Sequence, residues 1–177
     1  MMSQLAPLPA GEILHPLILQ DGYFPNNSVY PLLIYKNVLD LNGRSVEEIQ
    51  AFLQQNQWIN SWLDTVYDYH HYHSNTHETL VIYSGYCDVQ FGGDHGKIYQ
   101  VSRGDVVIIP AGVAHKNTGS SPDFKCIGSY PFDLDYDVCY GRAEEHPRAD
   151  QNIARVGLPA CDPVFGNQAG LFNYWKA

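Results

Sequence analysis

Two features of the sequence predict an all-β domain. From about residue 62 onward, short runs rich in β-branched and aromatic residues follow one another, as strands do. These runs are WLDTVYDYHHYH, ETLVIY, YCDVQF, KIYQVS, DVVIIP and DFKCIGSY. Segments rich in glycine, serine, asparagine and proline separate them, which is typical of turns. Short strands with a turn every eight to twelve residues or so, at roughly even spacing, predict a closed barrel or a sandwich.

The part of the chain before these runs predicts one further strand and one helix. VYPLLIYKNVL, residues 29 to 39, has strand composition, and Pro31 favours a place at a sheet edge or at the start of the strand. Ser45 and Glu48 have the spacing of a helix capping box, and apolar residues follow at helical spacing. We therefore expect one short amphipathic helix over residues 46 to 56.

The C-terminal part of the chain lacks strand periodicity. It is polar at first, then apolar, and it contains the aromatic sequence LFNYW near its end. We expect an irregular arm over about residues 141 to 177 that lies against a barrel core of about residues 29 to 140. A length of 177 residues is usual for one domain, so residues 1 to 177 are expected to form a single domain.

Charge and composition disfavour several classes of protein. The chain has 19 acidic and 10 basic residues and a formal net charge of −9, which disfavours binding to nucleic acid and to anionic membranes. Pro16 interrupts the short apolar run near the N-terminus, so we expect neither a signal peptide nor a membrane-spanning helix. A cytoplasmic protein is the expectation. The four cysteines form no CxxC pair and are expected to be free thiols.

The segment YDYHHYHSNTHE, residues 67 to 78, contains four of the eight histidines of the chain. In a strand, His71 and His73 would point to one face, whereas His70 would point to the other. Two imidazoles at this spacing can reach one metal ion. The segment therefore predicts a pair of metal ligands, with His70 on the outer face.

A third ligand could come from either of two adjacent residues. After the Ser-Asn-Thr turn, His77 or Glu78 could reach the same point. Glu78 is in phase with the aliphatic residues Leu80 and Ile82, which favours Glu78 on the interior side. His77 is expected beside the site or facing outward, and remains the competing candidate.

The order and spacing of these residues resemble the cupin superfamily. Two cupin motifs are matched, the first by His71, His73, Glu78 and Gly85 and the second by Gly104, Pro110, Gly112 and His115. Thr65 stands where the first motif begins with glycine, and Gly119 stands where the second ends with asparagine. The segments HHYHS-x-x-HE, FGG, PAG-x-x-HK and SPDF further resemble single-domain cupins of the YjlB type.

This resemblance implies a cupin jelly-roll β-barrel that holds a divalent transition metal. The ligands it implies are His71, His73, Glu78 and His115. Three imidazoles and one carboxylate suit iron, manganese, nickel, zinc or copper. Such a site can leave coordination positions open for water or substrate. The alternatives are histidines without a ligand role and a closed structural metal site.

Two tyrosines are candidates for substrate binding. Tyr67 and Tyr69 share the strand phase of His71 and His73, so we expect them to point into the barrel near the metal. They could orient a substrate or simply fill the core. Tyr130 and Lys116 are weaker candidates, at the mouth of the barrel.

The preferred hypothesis is a small-molecule enzyme with oxygen-dependent or Lewis-acid metal chemistry, such as a dioxygenase-like oxidoreductase. A cupin that binds or senses a small molecule without turning it over is the alternative, and a structural or storage role is the third. Few basic residues are present, which makes phosphorylated sugars a poorer fit as substrates. By analogy with the family, we also expect a homodimer.

Overall fold

The computed structural model describes residues 3–9 and 11–176 of the chain. These residues form strands in two antiparallel sheets. The strands are β1 (Ile13–Leu14), β2 (Leu33–Tyr35), β3 (Ile59–Asp64), β4 (Glu78–Ser84), β5 (Tyr86–Phe91), β6 (Lys97–Ser102), β7 (Val106–Ile109), β8 (His115–Ser120) and β9 (Lys125–Tyr130). The larger sheet has the order β1-β2-β7-β4-β9-β3 and the smaller one the order β6-β5-β8. Neighbours that are distant in the chain are typical of a jelly roll, and the predicted all-β class is confirmed.

The two sheets pack face to face, but no continuous ladder of hydrogen bonds closes them into a barrel within the described residues. Gly85 lies at the corner where the chain passes from β4 in one sheet to β5 in the other. Its φ is +66°, and a Cβ at this position would lie 2.2 Å from the Ser121 side-chain oxygen. Glycine adopts this backbone conformation without strain, which accounts for the glycine of the first motif.

The central strands of the larger sheet, β4 and β7, are buried on both faces. In β4 and β7, Leu80, Ile82 and Val107 pack against the smaller sheet, whereas Val81 and Val106 pack into a second core on the opposite face. Continuous apolar runs are expected for strands covered on both sides. The phase that Glu78 shares with Leu80 is therefore the one that faces the space between the sheets.

The predicted helix is present as α1 (Val46–Gln55). The Ser45 hydroxyl accepts a hydrogen bond from the Glu48 backbone N–H, and the Glu48 carboxylate accepts one from the Ser45 N–H. Ile49 and Leu53 are buried in the core on the outer face of the larger sheet. The capping box and the apolar spacing thus placed this element correctly.

The C-terminal arm is more regular than the sequence predicts. It contains helix α2 (Arg148–Arg155) between two short 3-10 helices, Ala143–Glu145 and Gly170–Asn173. Only Ala149 of α2 is buried and no side chain caps its N-terminus, so the sequence carries little helical signal there. Near the end of the arm, Trp175 stacks on Tyr30 and is buried in the core on the outer face of the larger sheet.

Within the described residues, no helix has the length and apolar character needed to cross a bilayer.

The strand expected over WLDTVYDYHHYH is shorter than predicted. β3 ends at Asp64, and residues 65 to 70 leave the sheet. His71 and Tyr72 form isolated bridges with His115 and Cys139. The predicted strand at residues 29 to 39 is likewise reduced to β2, which follows Pro31 and lies between β1 and β7 and not at an edge.

Candidate metal centre

The four side chains implied as metal ligands come together between the two sheets. His71 and His73 lie in the segment before β4, Glu78 is the first residue of β4, and His115 is the first residue of β8. Each of the four is at most 6% exposed. The carboxylate thus comes from the larger sheet, one imidazole from the smaller sheet, and two imidazoles from the segment between β3 and β4.

The donor atoms of these side chains converge. Ligand atoms of His71, His73 and His115 all lie within 4.8 Å of one another. Glu78 Oε2 lies 3.3 Å from His73 Nε2, and Glu78 Oε1 lies 3.3 Å from His115 Nε2. Two atoms that bind one ion at about 2.1 Å are roughly 3.0 to 3.4 Å apart in octahedral or tetrahedral geometry. The separations around Glu78 fit a shared ion.

Backbone carbonyls orient all three imidazoles. In each ring Nδ1 lies close to a carbonyl oxygen, as follows: His71 with Tyr69 at 3.2 Å, His73 with Asp137 at 2.5 Å and His115 with Val113 at 3.1 Å. Because a carbonyl only accepts, Nδ1 is the donor, and in a neutral ring this leaves the Nε2 lone pair free. Histidines that bind metals usually have their other nitrogen held in this way.

The electrostatics of the cluster favour an ionised carboxylate. Burial, together with the neighbouring His115, lowers the pKa of His71 to about 3. Burial also lowers the pKa of His73, but the Glu78 carboxylate and its hydrogen bond raise it by more, so the net shift is upward. Burial raises the pKa of Glu78, whereas His73 and His115 together hold it well below its usual range. Glu78 is therefore negatively charged near neutral pH.

Glu78 has a further hydrogen-bond partner that the sequence did not indicate. The Tyr130 hydroxyl donates to Glu78 Oε2 at 2.8 Å and accepts from Trp62 Nε1 at 2.8 Å. Tyr130 was expected at the mouth of the barrel but is 1% exposed and lies beside the cluster. Its position at the end of β9, directly next to β3 and β4, accounts for this contact.

A second support comes from the loop after β9. The Asp137 carboxylate accepts hydrogen bonds from the Ser74 backbone N–H, at 2.7 Å, and from the Ser74 hydroxyl. The Asp137 carbonyl oxygen holds His73. This loop therefore fixes the segment that carries His73, and nothing in its sequence predicted that contact.

Tyr67 and Tyr69 lie at the rim of the site and not inside it. Their side chains are 51% and 41% exposed, and their rings stack on each other with centroids 5.0 Å apart. Both rings also contact His71, at centroid distances of 5.0 and 5.8 Å. The interior position expected for both is wrong because residues 65 to 70 are not in a strand, so strand alternation does not apply there.

His77 lies outside the cluster, beneath the C-terminal arm. Its Nδ1 accepts a hydrogen bond from the Ala111 backbone N–H at 2.9 Å, and its Nε2 lies 3.0 Å from the Gly157 carbonyl oxygen. Burial lowers its pKa to about 4, and its ring contacts Trp175. Both nitrogens are occupied by backbone groups, so this histidine joins the arm to the sheet.

His70 also points away from the cluster, but it does not lie on an open surface. Its side chain is 10% exposed, its ring contacts Phe24, and its Nε2 lies 3.3 Å from Asp94 Oδ1. Phe24 comes from the N-terminal segment, which the sequence did not place near this histidine.

The cluster forms the buried end of a cavity of about 220 Å³. At the other end, the cavity is lined by the exposed side chains of Leu63, Tyr67 and Tyr136. Leu80 and Val66 form apolar walls between the two ends. A small molecule entering from the rim would therefore meet the Nε2 atoms and the carboxylate at the far end.

Comparison with known proteins identifies the family. A family model described as a cupin domain matches residues 65–127. "Uncharacterized protein YjlB" of Bacillus subtilis (strain 168) is 41% identical over 155 residues, which are 88% of this chain and 92% of that protein. The chain belongs to the cupins. Within them, it is a YjlB-like member.

Solved structures show more distant likenesses. A DUF861 family protein from Thermotoga maritima has a TM-score of 0.33 at 24% identity, covering 49% of this chain and 92% of that chain. Oxalate decarboxylase from Bacillus subtilis has a TM-score of 0.37 at 23% identity, covering 62% of this chain and 27% of that chain. Likeness of this degree says nothing about substrate or activity.

Proposed function

We propose that this chain is a metal-dependent cupin enzyme that acts on a small molecule. The proposed ligands of a divalent transition metal are His71, His73, Glu78 and His115. The main support is the convergence of three imidazoles and an ionised carboxylate at the buried end of a cavity. A metal in this place would polarise an oxygen atom of the bound molecule, for Lewis-acid or oxygen-dependent chemistry.

The residues around the cluster support this chemistry in separate ways. The carbonyls that bind Nδ1 keep each Nε2 directed at one point. Burial raises the pKa of Tyr130, so its hydroxyl keeps its proton at neutral pH and continues to donate to Glu78. The apolar walls formed by Val66 and Leu80 limit the water that can share the cavity with a bound molecule.

The alternative is a cupin that binds or senses a small molecule without turning it over. One observation favours it. Among the described residues that line the cavity, Tyr130 is the buried titratable side chain besides the proposed ligands, and its raised pKa makes it a poor general base. A compound that binds the metal-loaded protein and is recovered unchanged, with and without oxygen, would support this alternative. Conversion of the compound would support the enzyme.

The test of the metal centre is elemental analysis of tag-free protein and of the His71→Ala and His115→Ala variants. We expect about one metal ion per chain in the unchanged protein and loss of that metal in both variants, because each variant removes a ligand. His95→Ala is the matched control. His95 is an exposed histidine that pairs with Asp21, so its removal should leave the metal content unchanged.

Retention of stoichiometric metal in both ligand variants would contradict the proposed site. Loss in the control as well would point to a general effect on folding. Circular dichroism of all variants separates these two cases, because a folded variant without metal has lost only the site.

We also propose a homodimer and a cytoplasmic location. The homodimer rests on analogy with the family, and the location rests on the sequence composition.

A further inference from the structure

We infer that the cavity binds a small compound that has a flat, apolar and uncharged body and an oxygen-bearing end. This inference rests on the proposed function, since the oxygen-bearing end is the one that would meet the metal. It goes beyond that function by defining the charge, shape and size of the ligand.

Away from the proposed metal, the described cavity wall offers none of the side chains that usually bind an anion. Among the described residues that line it, none is lysine or arginine. Its charged side chains besides the histidines are Glu78 at the buried end and Asp64 at the rim. Carboxylates and phosphates are normally bound by arginine or lysine. The guanidinium of Arg142 lies over the Tyr140 ring, outside the cavity. An anionic group on the body of the ligand, away from the proposed metal, would thus lie near the Asp64 carboxylate and find no lysine or arginine among the described lining residues.

The walls of the cavity are flat and largely apolar. Tyr130 and Tyr136 stack with centroids 4.5 Å apart and an angle of 21° between the rings. Trp62 and Leu80 also line the cavity. Flat aromatic walls favour a ligand with a planar body that can stack on them.

The polar groups on the wall are too few for a sugar or another polyol. The Tyr130 hydroxyl and the Trp62 N–H are already paired with Glu78 and with each other. Thr65, Tyr67 and Tyr136 contribute one hydroxyl each, and all three lie at the exposed rim. A polyol deeper in the cavity would place hydroxyl groups against Val66 and Leu80, and each buried hydroxyl without a partner costs about 1 to 3 kcal/mol.

The volume limits the ligand to a single ring with few substituents. Pockets for drug-sized ligands are usually about 300 to 1,000 Å³, whereas this cavity has a volume of about 220 Å³. The buried end must also accommodate the metal.

The experiment is a calorimetric titration of the metal-loaded protein under argon with three probes. Catechol has a flat apolar body and two adjacent oxygens. 3,4-Dihydroxybenzoate has the same oxygen pair and one added carboxylate. Myo-inositol is uncharged and has adjacent oxygens, but it is a polyol and is not flat. We expect catechol to bind, 3,4-dihydroxybenzoate to bind about fivefold more weakly at low salt because of Asp64, and myo-inositol not to bind.

A pair of variants at the rim tests the charge directly. Thr65 is exposed, so Thr65→Arg places a cation at the entrance without disturbing the core. We expect this variant to bind 3,4-dihydroxybenzoate about fivefold more tightly than the unchanged protein does, with little change for catechol. Thr65→Gln adds a long uncharged side chain and should leave the ratio of the two affinities unchanged.

Equal or tighter binding of 3,4-dihydroxybenzoate by the unchanged protein would overturn the inference about charge. Tighter binding of myo-inositol than of catechol would overturn the inference about shape. If the protein carries its metal but none of the probes binds, the ligand class is wrong and the metal centre stands. If the same sample holds no metal, the proposed function is wrong, and so is the inference that one end of the ligand meets a metal.

Discussion

Two adjacent residues, His77 and Glu78, have different roles because neighbouring positions in extended backbone point to opposite sides. The aliphatic phase of β4 placed Glu78 in the space between the sheets, and the structure agrees with that placement. The partners of His77 are the Ala111 N–H and the Gly157 carbonyl, both distant in the sequence. The phase could therefore place Glu78, but it could not show what His77 contacts.

Tyr130 should strengthen metal binding because it orients Glu78. Tyr130→Phe removes the hydroxyl that donates to Glu78 Oε2 and leaves the Trp62 N–H without its acceptor. Loss of a hydrogen-bond partner behind a metal ligand typically weakens metal binding about 10- to 100-fold. We expect a decrease in affinity of about tenfold, measured by competition with a chelator of known affinity.

Tyr86→Phe is the control for this change. Tyr86 is 43% exposed and lies on β5, and it is not among the residues that line the cavity. The metal affinity of Tyr86→Phe should match that of the unchanged protein. An affinity of Tyr130→Phe within twofold of the unchanged protein would show that Tyr130 does not act through Glu78.

Asp162 joins the C-terminal arm to the larger sheet. It is fully buried, and its Oδ2 accepts hydrogen bonds from the Tyr35 hydroxyl, at 2.6 Å, and from the Leu171 N–H, at 2.8 Å. Its Oδ1 accepts from the backbone N–H groups of Val164 and Phe165. Burial raises the pKa of Asp162, and these four donors oppose that shift. One carboxylate therefore connects β2 with three positions of the arm.

Asp162→Ala should destabilise the protein strongly. It would leave the buried N–H groups of the arm and the Tyr35 hydroxyl without their acceptor. Each unsatisfied buried donor costs about 1 to 3 kcal/mol, although entering water recovers part of that, so we expect a loss of about 3 kcal/mol in the free energy of unfolding. The measurement is urea unfolding followed by circular dichroism.

Asp133→Ala is the matched control, since Asp133 is an exposed aspartate. Exposed substitutions usually change the free energy of unfolding by less than about 0.5 kcal/mol. If Asp162→Ala is no less stable than Asp133→Ala, the arm is held by its apolar contacts alone, chiefly those of Trp175 and Leu171.

For the molecule as a whole, the proposed metal would connect the two sheets. Glu78 belongs to the larger sheet and His115 to the smaller one, while His71 and His73 come from the segment between β3 and β4. In the described residues, isolated backbone hydrogen bonds such as those of the His71–His115 bridge are present at this point, but no continuous ladder closes the sheets. A metal bound to all four residues would therefore stabilise the packing of one sheet on the other.

Metal should raise the unfolding temperature for this reason. At a free metal concentration of 100 times Kd, binding to the folded state alone adds about 2.7 kcal/mol. We expect a clear fall in Tm on addition of a chelator at neutral pH. At acidic pH the chelator should lower Tm by less, because protons already compete with the metal for the imidazoles and the carboxylate. Differential scanning calorimetry measures both effects.

His71→Ala and His95→Ala provide the comparison. The Tm of His71→Ala should no longer respond to the chelator, whereas that of His95→Ala should respond as the unchanged protein does. A chelator response that persists in His71→Ala would place the stabilising metal elsewhere in the molecule.

Elements with strong local signals were predictable. The Ser45–Glu48 capping box gave α1 almost to the residue, and the aliphatic runs gave β4 and β7. Helix α2 was missed because it buries only Ala149 and lacks a side-chain cap. The prediction of a strand over residues 65 to 70 was wrong. The composition of this segment favours a strand, but in the structure the segment lies at the rim of the cavity and outside the sheets.

Sequence analysis alone could predict the all-β class, helix α1, the cupin motifs and the group of residues most suited to a metal. These depend on local spacing and residue chemistry, which a single chain displays directly. The tertiary structure was needed to show that Tyr130 and Asp137 support the cluster, that Tyr67 and Tyr69 lie at the rim, and that His77 holds the arm. Each of these depends on contacts between segments that are distant in the sequence, and such contacts form only when the sheets and the arm pack together.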